Sequence, residues 1–281
     1  MDVVFQAAVI GLLQGLTEFI PISSSAHLEL APWLFGWQEG GIIGSLAFDV
    51  FLHLGTLVAL LAYFGRDWLR YLGALIASIR ERRIGSDPDR RIAWLLVAAT
   101  IPAGAIGFAL EGFIGDTFHG NDDAARLAIA GFLIVGAIGL WLADQLGRRT
   151  RELEALTTPT ALTIGFSQAL ALLPGISRSG ATITAGLALG LTREAAARFS
   201  FLLATPITLG AGLYGSRRLL TEAHTGLEWL AIGVGFAVAA VSGLLAIGFL
   251  LSWLRRRSVT AFSLYRIAFA ALIVALVLVG R

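Results

Sequence analysis

The chain has 281 residues, 57% of them hydrophobic and 14% charged, with a mean hydropathy of +0.79 and a formal net charge of +2. A soluble globular domain is charged at about a quarter of its residues, so this composition excludes that class and places the chain in a membrane. There is no cysteine, which removes disulfides, thiolate metal sites and cysteine nucleophiles, and every basic residue is arginine. The arginines fall between apolar stretches, so their charge reads as topology and nucleic acid is not an expected partner. No stretch is polar enough to form a soluble domain of its own, and residues 1–281 are read as one polytopic membrane domain.

The first apolar region, Val3–Phe35, follows Asp2 with no basic segment before it, so it does not read as a cleaved signal peptide. It is interrupted halfway by Gln14-Gly15-Leu16-Thr17-Glu18-Phe19-Ile20-Pro21-Ile22-Ser23-Ser24-Ser25-Ala26-His27. Three full spans follow near Gly44–Phe64, Ile92–Leu110 and Leu127–Leu146, each matching the roughly 20 residues that a bilayer requires. A second interrupted region, Ala161–Leu191, contains Gln168-Ala169-Leu170-Ala171-Leu172-Leu173-Pro174-Gly175-Ile176-Ser177-Arg178-Ser179-Gly180-Ala181-Thr182. Three further spans lie near Phe199–Tyr214, Leu227–Leu251 and Phe262–Val279, and Arg193, Glu194 and Arg198 read as an interfacial helix start. The aromatic residues Trp33, Phe35, Trp37 and Trp229 read as interfacial anchors.

Each interrupted region leaves two pieces too short to cross alone and reads as a re-entrant hairpin. Non-helical backbone at that depth is tolerated only where it faces protein or a water-filled cavity. The two regions align at a constant offset: Ile10-Gly11 with Ile164-Gly165, Gln14 with Gln168, Leu16 with Leu170, and Ile22-Ser23-x-Ser25 with Ile176-Ser177-x-Ser179. Pro21 and Pro174 miss this register by one. Three spans separate the copies, so the second enters from the opposite face. The expected fold is therefore an all-α integral membrane protein of six full spans plus two re-entrant helix-loop-helix hairpins in an inverted-topology repeat. Repeat A covers about residues 1–110 and repeat B about 155–281, with a linking span near 127–146.

Arginine in short loops sets the orientation. Arg66, Arg70, Arg80, Arg82, Arg83, Arg90 and Arg91, then Arg148, Arg149 and Arg151, then Arg255, Arg256 and Arg257 mark the cytoplasmic side. The acidic stretch with Glu111, Asp116, Asp122 and Asp123 is external, while Arg217 and Arg218 run against the rule. Both termini are then outside, and the two hairpin tips meet within the bilayer.

Ionised groups at that depth are functional candidates. Gln14 and Glu18 are four residues apart and share a helix face, with Thr17 beside it. The serines open the next half-helix, whose free N–H groups and positive dipole end favour anions. Arg178 adds a planar cation able to bind phosphate bidentately, and Gly175 and Gly180 let backbone approach a ligand closely. This set suits phosphoryl groups. His27 is a general acid or base by type, and Ser23, Ser24 and Ser25 offer hydroxyls for attack or for phosphate binding. Glu18 repels phosphate unless burial protonates it or a divalent cation bridges it to substrate oxygens.

Plainer readings stand beside these. Membrane serines and threonines bond their own backbone, Arg178 has a structural ion pair with Glu18 as its minor reading, and a lone histidine is commonly a satisfied core residue. Asp49 and His53 share a face that either meets solvent or lines the pocket.

At these residues the chain closely resembles the bacterial undecaprenyl-pyrophosphate phosphatases of the bacitracin-resistance type. The family pattern is met by Gln14 to Glu18, by Pro21 to His27, and by Pro174 to Thr182. The resemblance implies hydrolysis of undecaprenyl pyrophosphate to undecaprenyl phosphate and phosphate, recycling the lipid carrier of cell-wall synthesis. It also implies a divalent cation, Mg2+ or Ca2+, and a site open to the outer, periplasmic side of the bacterial inner membrane. Glu18, Ser24, His27 and Arg178 become the expected catalytic residues, Ser24 a candidate nucleophile and Glu18 a metal ligand shared with substrate phosphate. Gln14, Thr17, Ser23, Ser25, Asp49, Gly175, Ser177, Ser179, Gly180 and Thr182 are the expected substrate-binding residues. The expected partners are a polyprenyl pyrophosphate lipid and the bilayer, and a homo-oligomer is compatible with both. Ser25 stands where the family has threonine. Ala26 stands where it has glycine, so a left-handed backbone at Ala26 would be strained. The competing class is a secondary transporter or flippase for a phosphate-bearing anion or lipid, since inverted repeats with broken helices are common among transporters.

Overall fold

In a computed structural model the chain is described over residues 2–37, 41–118, 122–221 and 225–280, and these are helical with no strand among them. Ten α-helices follow in order: α1 (Val3–Phe19), α2 (Ser24–Phe35), α3 (Leu46–Arg80), α4 (Pro88–Phe118), α5 (Asp123–Leu146), α6 (Thr158–Ser167), α7 (Arg178–Ala188), α8 (Arg193–Thr221), α9 (Gly226–Leu254) and α10 (Thr260–Leu278). Six of them, α3, α4, α5, α8, α9 and α10, are long and apolar enough to cross a bilayer. The chain is thus a multi-pass membrane protein. The side chains of Glu111, Asp116, Arg217 and Arg218 lie outside the described residues.

Three helices, α3, α4 and α8, run well past their expected bounds, α4 covering Pro88–Phe118 where Ile92–Leu110 was expected. The backbone of α3 leaves helical values at Phe64 (φ −101°, ψ 16°) and then resumes its helix to Arg80. Arg66 and Arg70, read as loop residues, are therefore helical. With 35 residues the helix is about 52 Å long, well beyond a hydrocarbon core of about 30 Å. Charged residues on its projecting end thus meet water and partners rather than stopping the helix. Helix α8 begins at Arg193, as the interfacial charges suggested, and passes through Pro206 to Thr221.

The broken regions stay short. Helices α1 and α2 have 17 and 12 residues, while α6 and α7 have 10 and 11, with a 3-10 stretch over Gln168–Leu172 between them. Helix α1 and the 3-10 stretch that continues α6 each stop where a proline forces the preceding residue to be extended. Ile20 (φ −66°, ψ 133°) precedes Pro21, and Leu173 (φ −80°, ψ 119°) precedes Pro174. Each chain restarts on a serine: Ser23 accepts from the Ala26 N–H, and Ser177 from the Gly180 N–H.

The elements interleave. Helix α1 packs mainly against α9, α6 against α4, α3 against α8 and α9, and α5 against α10. Small residues allow two close backbone approaches: a methyl group at Gly11 would collide with the Gly235 carbonyl, and one at Gly165 with the Ala99 carbonyl. Phe19, next to Glu18, meets Phe201 edge-on at 5.4 Å and fixes the end of α1 against α8.

Ion pairs gather at one end of the bundle. Asp144 takes Arg193 at 2.6 Å, Asp67 takes Arg198 at 3.1 Å, Arg70 reaches Asp89 at 3.3 Å, and Arg255 reaches Glu194 at 2.9 Å. Arg90 bonds Glu81 at 2.6 Å and holds that carboxyl below its usual range.

Replacing Gly11 with leucine should lower the melting temperature in detergent, because overpacking a tight contact destabilises by about 1–3 kcal/mol. Gly233→Ala, where nothing lies within 4 Å, should melt like the parent. Equal melting of both variants would contradict the close approach of α1 and α9.

Candidate active site

The two breaks meet. Gly175 N–H points to Ser25 Oγ at 3.5 Å, and Ser179 Oγ donates to the Ile20 carbonyl at 3.5 Å. Each loop also holds a hydroxyl pair, Ser23 with Ser25 at 3.1 Å and Ser177 with Ser179 at 3.2 Å. The left-handed residues are the capping serines, Ser23 at φ 77° and Ser177 at φ 73°. Ala26, where a left-handed backbone was a concern, sits inside α2 and carries no such strain. Gly175 at φ 106° does require glycine, since a side chain there would also press within 2.7 Å of the Ile129 carbonyl.

Glu18 is the hub of the cluster, 7% exposed. Its Oε1 accepts from Arg178 Nη2 at 2.6 Å, and its Oε2 accepts from Ser24 Oγ at 2.6 Å and from Gln14 Nε2 at 3.2 Å. His53 Nε2 stands 3.7 Å from the same Oε2. Arg178 donates its second arm to Thr208 on α8 at 3.2 Å. Five helices therefore converge: α1 brings Gln14 and Glu18, α2 Ser24, α3 His53, α7 Arg178 and α8 Thr208. The Oε1 of Gln14 is buried with no hydrogen-bond partner among the described residues.

The expected residues divide. Gln14, Glu18, Ser24 and Arg178 are brought into one bonded group. Ser23, Ser25, Gly175, Ser177, Ser179 and Gly180 form the two facing loops beside it. Thr17 instead bonds the Leu13 carbonyl at 2.7 Å, and Thr182 the Arg178 carbonyl and Ser200 at 2.8 and 2.7 Å, so both serve the helix framework. Asp49 reaches the group through its carbonyl, which meets His53 Nδ1 at 2.7 Å.

His27 faces away from the bonded group. Its Nδ1 lies 2.7 Å from the Ser23 carbonyl, which can only accept, so Nδ1 carries the proton. Its Nε2 meets the Tyr265 hydroxyl at 2.7 Å, and its ring stacks on Phe269 at 4.5 Å. Four contacting residues lacked a sequence assignment. His53 was visible on a face with Asp49 but had no stated partner, Thr208 and Tyr265 had no signal, and Arg266, which donates to the Gly175 and Ile176 carbonyls at 2.8 and 2.9 Å, was legible as an arginine inside an apolar span.

Helices of this length around a glutamate–arginine–serine group, with the glutamate buried and the arginine and serine partly so, define a polytopic membrane protein with an internal polar site. The sequence profile of the family described as bacitracin resistance protein BacA matches residues 7–272. The chain belongs to that family. It is 46% identical to a Thermomicrobium roseum protein over 99% of each chain. It is 45% identical to one from Rubrobacter xylanophilus, over 97% of this chain and 98% of the other, and 46% identical to one from Moorella thermoacetica over 97% of each. All three relatives bear the name undecaprenyl-diphosphatase.

The coupling at the hub is measurable without activity. Glu18→Gln and Arg178→Met should each lower the melting temperature, because removing one member of a buried pair costs about 3–5 kcal/mol. The double variant should lose less than the two singles together. Strictly additive losses would show that the two side chains are not paired.

Proposed function

We propose that this chain is an integral membrane hydrolase that converts undecaprenyl pyrophosphate to undecaprenyl phosphate and inorganic phosphate. One observation carries the reading: the Ser24 hydroxyl donates at 2.6 Å to a carboxylate that also holds Arg178 at 2.6 Å. A nucleophile, a base within hydrogen-bond reach and a cation for the phosphoryl oxygens thus occupy one group. The names of the relatives agree with hydrolysis and do not favour the transporter reading.

In this scheme the incoming terminal phosphate draws the Arg178 guanidinium from Glu18, forming the bidentate contacts that suit it. Glu18, relieved of its cation, becomes the better base and takes the Ser24 proton. Ser24 Oγ bonds the terminal phosphorus as the bridging P–O bond breaks, and undecaprenyl phosphate leaves. Water then attacks the phosphoserine, releasing phosphate and returning the proton to Ser24. The N–H groups of Ser177, Arg178 and Ser179, outside the intrahelical ladder that begins with Ala181 N–H to the Ser177 carbonyl, receive phosphoryl oxygens. His27 acts on this chemistry by holding the Ser23 carbonyl.

A divalent cation, Mg2+ or Ca2+, suits the donor set. The Glu18 carboxylate and the unpartnered Gln14 Oε1 are hard oxygen ligands. No group of three His, Asp or Glu side chains is found among the described residues, so substrate phosphate and water would complete the shell. When bound, such an ion supplies charge neutralisation at the phosphoryl oxygens.

The two broken regions are read as re-entrant hairpins of an inverted repeat, about residues 1–110 and 155–281, with α5 linking them. The support is reciprocal packing. Helix α1 lies on α9 as α6 lies on α4, Gly11 and Gly165 occupy equivalent tight contacts, and Ser23 and Ser177 cap with the same left-handed backbone. The ion-paired, arginine-rich end is read as cytoplasmic, with both termini and the site opening on the periplasmic side of the inner membrane. The lipid substrate enters from the bilayer, and a homo-oligomer remains compatible with this arrangement.

Purified protein in detergent should release phosphate from a prenyl pyrophosphate, and Ser24→Ala should lower kcat at least about a hundredfold, the scale of a positioned proton transfer. A Ser24→Ala enzyme with normal turnover would replace serine attack with direct attack by water. Excess EDTA should stop turnover, and full activity in EDTA would remove the cation from the scheme.

A further inference from the structure

Arg266 heads the fully buried side chains by size, at 0% exposure, and no carboxylate pairs with it among the described residues. Its guanidinium meets only main-chain carbonyls. Nε donates to Leu133 on α5 at 3.2 Å, and Nη2 donates to Gly175 at 2.8 Å and to Ile176 at 2.9 Å. Nη1 has no hydrogen-bond partner among the described residues. A cation buried in this way carries a large desolvation penalty, and apolar packing alone would not call for it.

The preceding residue does the same work for the other loop. Tyr265 hydroxyl bonds His27 Nε2 at 2.7 Å, and His27 Nδ1 bonds the Ser23 carbonyl at 2.7 Å. Two consecutive residues of α10 thus reach loop carbonyls at both restarts, Tyr265 through His27 at the capping Ser23, and Arg266 at Gly175 and Ile176 just before the capping Ser177. A peptide plane held by its oxygen presents the next N–H on the opposite side. Holding the Ser23 carbonyl orients the Ser24 N–H, and holding the Ile176 carbonyl orients the Ser177 N–H. The Ser24 N–H is the first of α2 and the Ser177 N–H belongs to the cap of α7, and the two starts face each other across the site.

We propose that Tyr265 and Arg266 are positioning residues that clasp both broken loops from α10, aiming their N–H groups at one phosphate. The clasp rests on the phosphate-binding reading above. Tyr265 acts through His27, so His27 is itself a positioning residue. Arg266 acts directly on the Gly175–Ile176 backbone and adds fixed positive charge behind the start of α7.

Three variants test the clasp, each assayed for phosphate release from a prenyl pyrophosphate and titrated calorimetrically with inorganic pyrophosphate. Tyr265→Phe keeps the ring stack and removes only the hydroxyl. Its kcat should fall about tenfold, with KM, set largely by the prenyl tail, moving less than about threefold. Its effect should vanish in a His27→Gln background, because both changes break one chain of contacts. Arg266→Lys keeps the charge but cannot fork onto both loop and α5 carbonyls, and kcat should fall on the order of a hundredfold. Should Arg266→Lys fail to fold, Gly136→Ala serves instead, since a methyl group there would displace the Arg266 guanidinium. Pyrophosphate binding should weaken severalfold in every variant.

Parental kcat in Tyr265→Phe, or a full Tyr265→Phe effect in the His27→Gln background, overturns the first arm. Parental kcat in folded Arg266→Lys or in Gly136→Ala overturns the second. A wild type that binds pyrophosphate but releases no phosphate sinks the hydrolase reading alone, and the titrations then judge the clasp by whether binding weakens. A wild type that binds no pyrophosphate overturns both.

Discussion

The contact on which the rest depends is Glu18 to Arg178, 2.6 Å across two chain breaks 160 residues apart. Moving either charge out of water costs several kcal/mol, and their attraction offsets this only with good geometry and further hydrogen bonds. Ser24 and Gln14 supply those bonds to the carboxylate, and Thr208 supplies one to the guanidinium. Both helices must therefore stop at the same depth and point at each other, which dictates where α1 ends and where α7 begins. A hydrophobic pair would satisfy the packing at less expense. A charged pair is suited to exchange, because an entering phosphate competes for the arginine and leaves the carboxylate beside a hydroxyl.

The restarts store strain that only their neighbours explain. A serine held in the left-handed region costs on the order of 1–3 kcal/mol, and glycine would relieve it. Glycine would also lose the hydroxyl that caps Ala26 or Gly180, a loss of about 1 kcal/mol. The two figures leave a deficit, so the conformation is imposed by the surroundings. At Ser23 the carbonyl is held by His27, and at Ser177 the preceding carbonyls are held by Arg266. A loop fixed from behind in this way is preorganised, and preorganised donors are the main source of electrostatic stabilisation in transfer chemistry.

What could be read without coordinates followed from local rules. Proline after an apolar run ends a helix, serine starts the next, and a span needs about twenty apolar residues. Those rules located both breaks and all six spans; polar residues at membrane depth pointed to Gln14, Glu18 and Arg178, and only the family resemblance singled Ser24 out of the three serines. They could not locate contacts made over long separations. His27 was offered as a general acid or base by its type and as a catalytic residue by the family resemblance. Its partner Tyr265 lies 238 residues away on α10 and turns it from the hub. Ala26 read as the strained position because a motif was aligned residue by residue, whereas the left-handed turn falls three residues earlier, at Ser23. The continuation of α3 past Phe64 was missed because arginines were taken to end a span, although they end only its buried part.

On the proposed duplication, the two halves cannot stay equivalent. In α1 an α-helical turn sets Gln14 and Glu18 on one face, bonded at 3.2 Å. The matching stretch, Gln168–Leu172, is wound as a 3-10 helix with leucine in place of the acid. A second carboxylate at that point would give the site two negative charges against one arginine, and a pyrophosphate would meet net repulsion. Losing the acid from one half while placing Arg178 there leaves the hub neutral before the substrate arrives. That neutrality lets one buried group both survive in the bilayer and admit an anion, and it requires the halves to diverge.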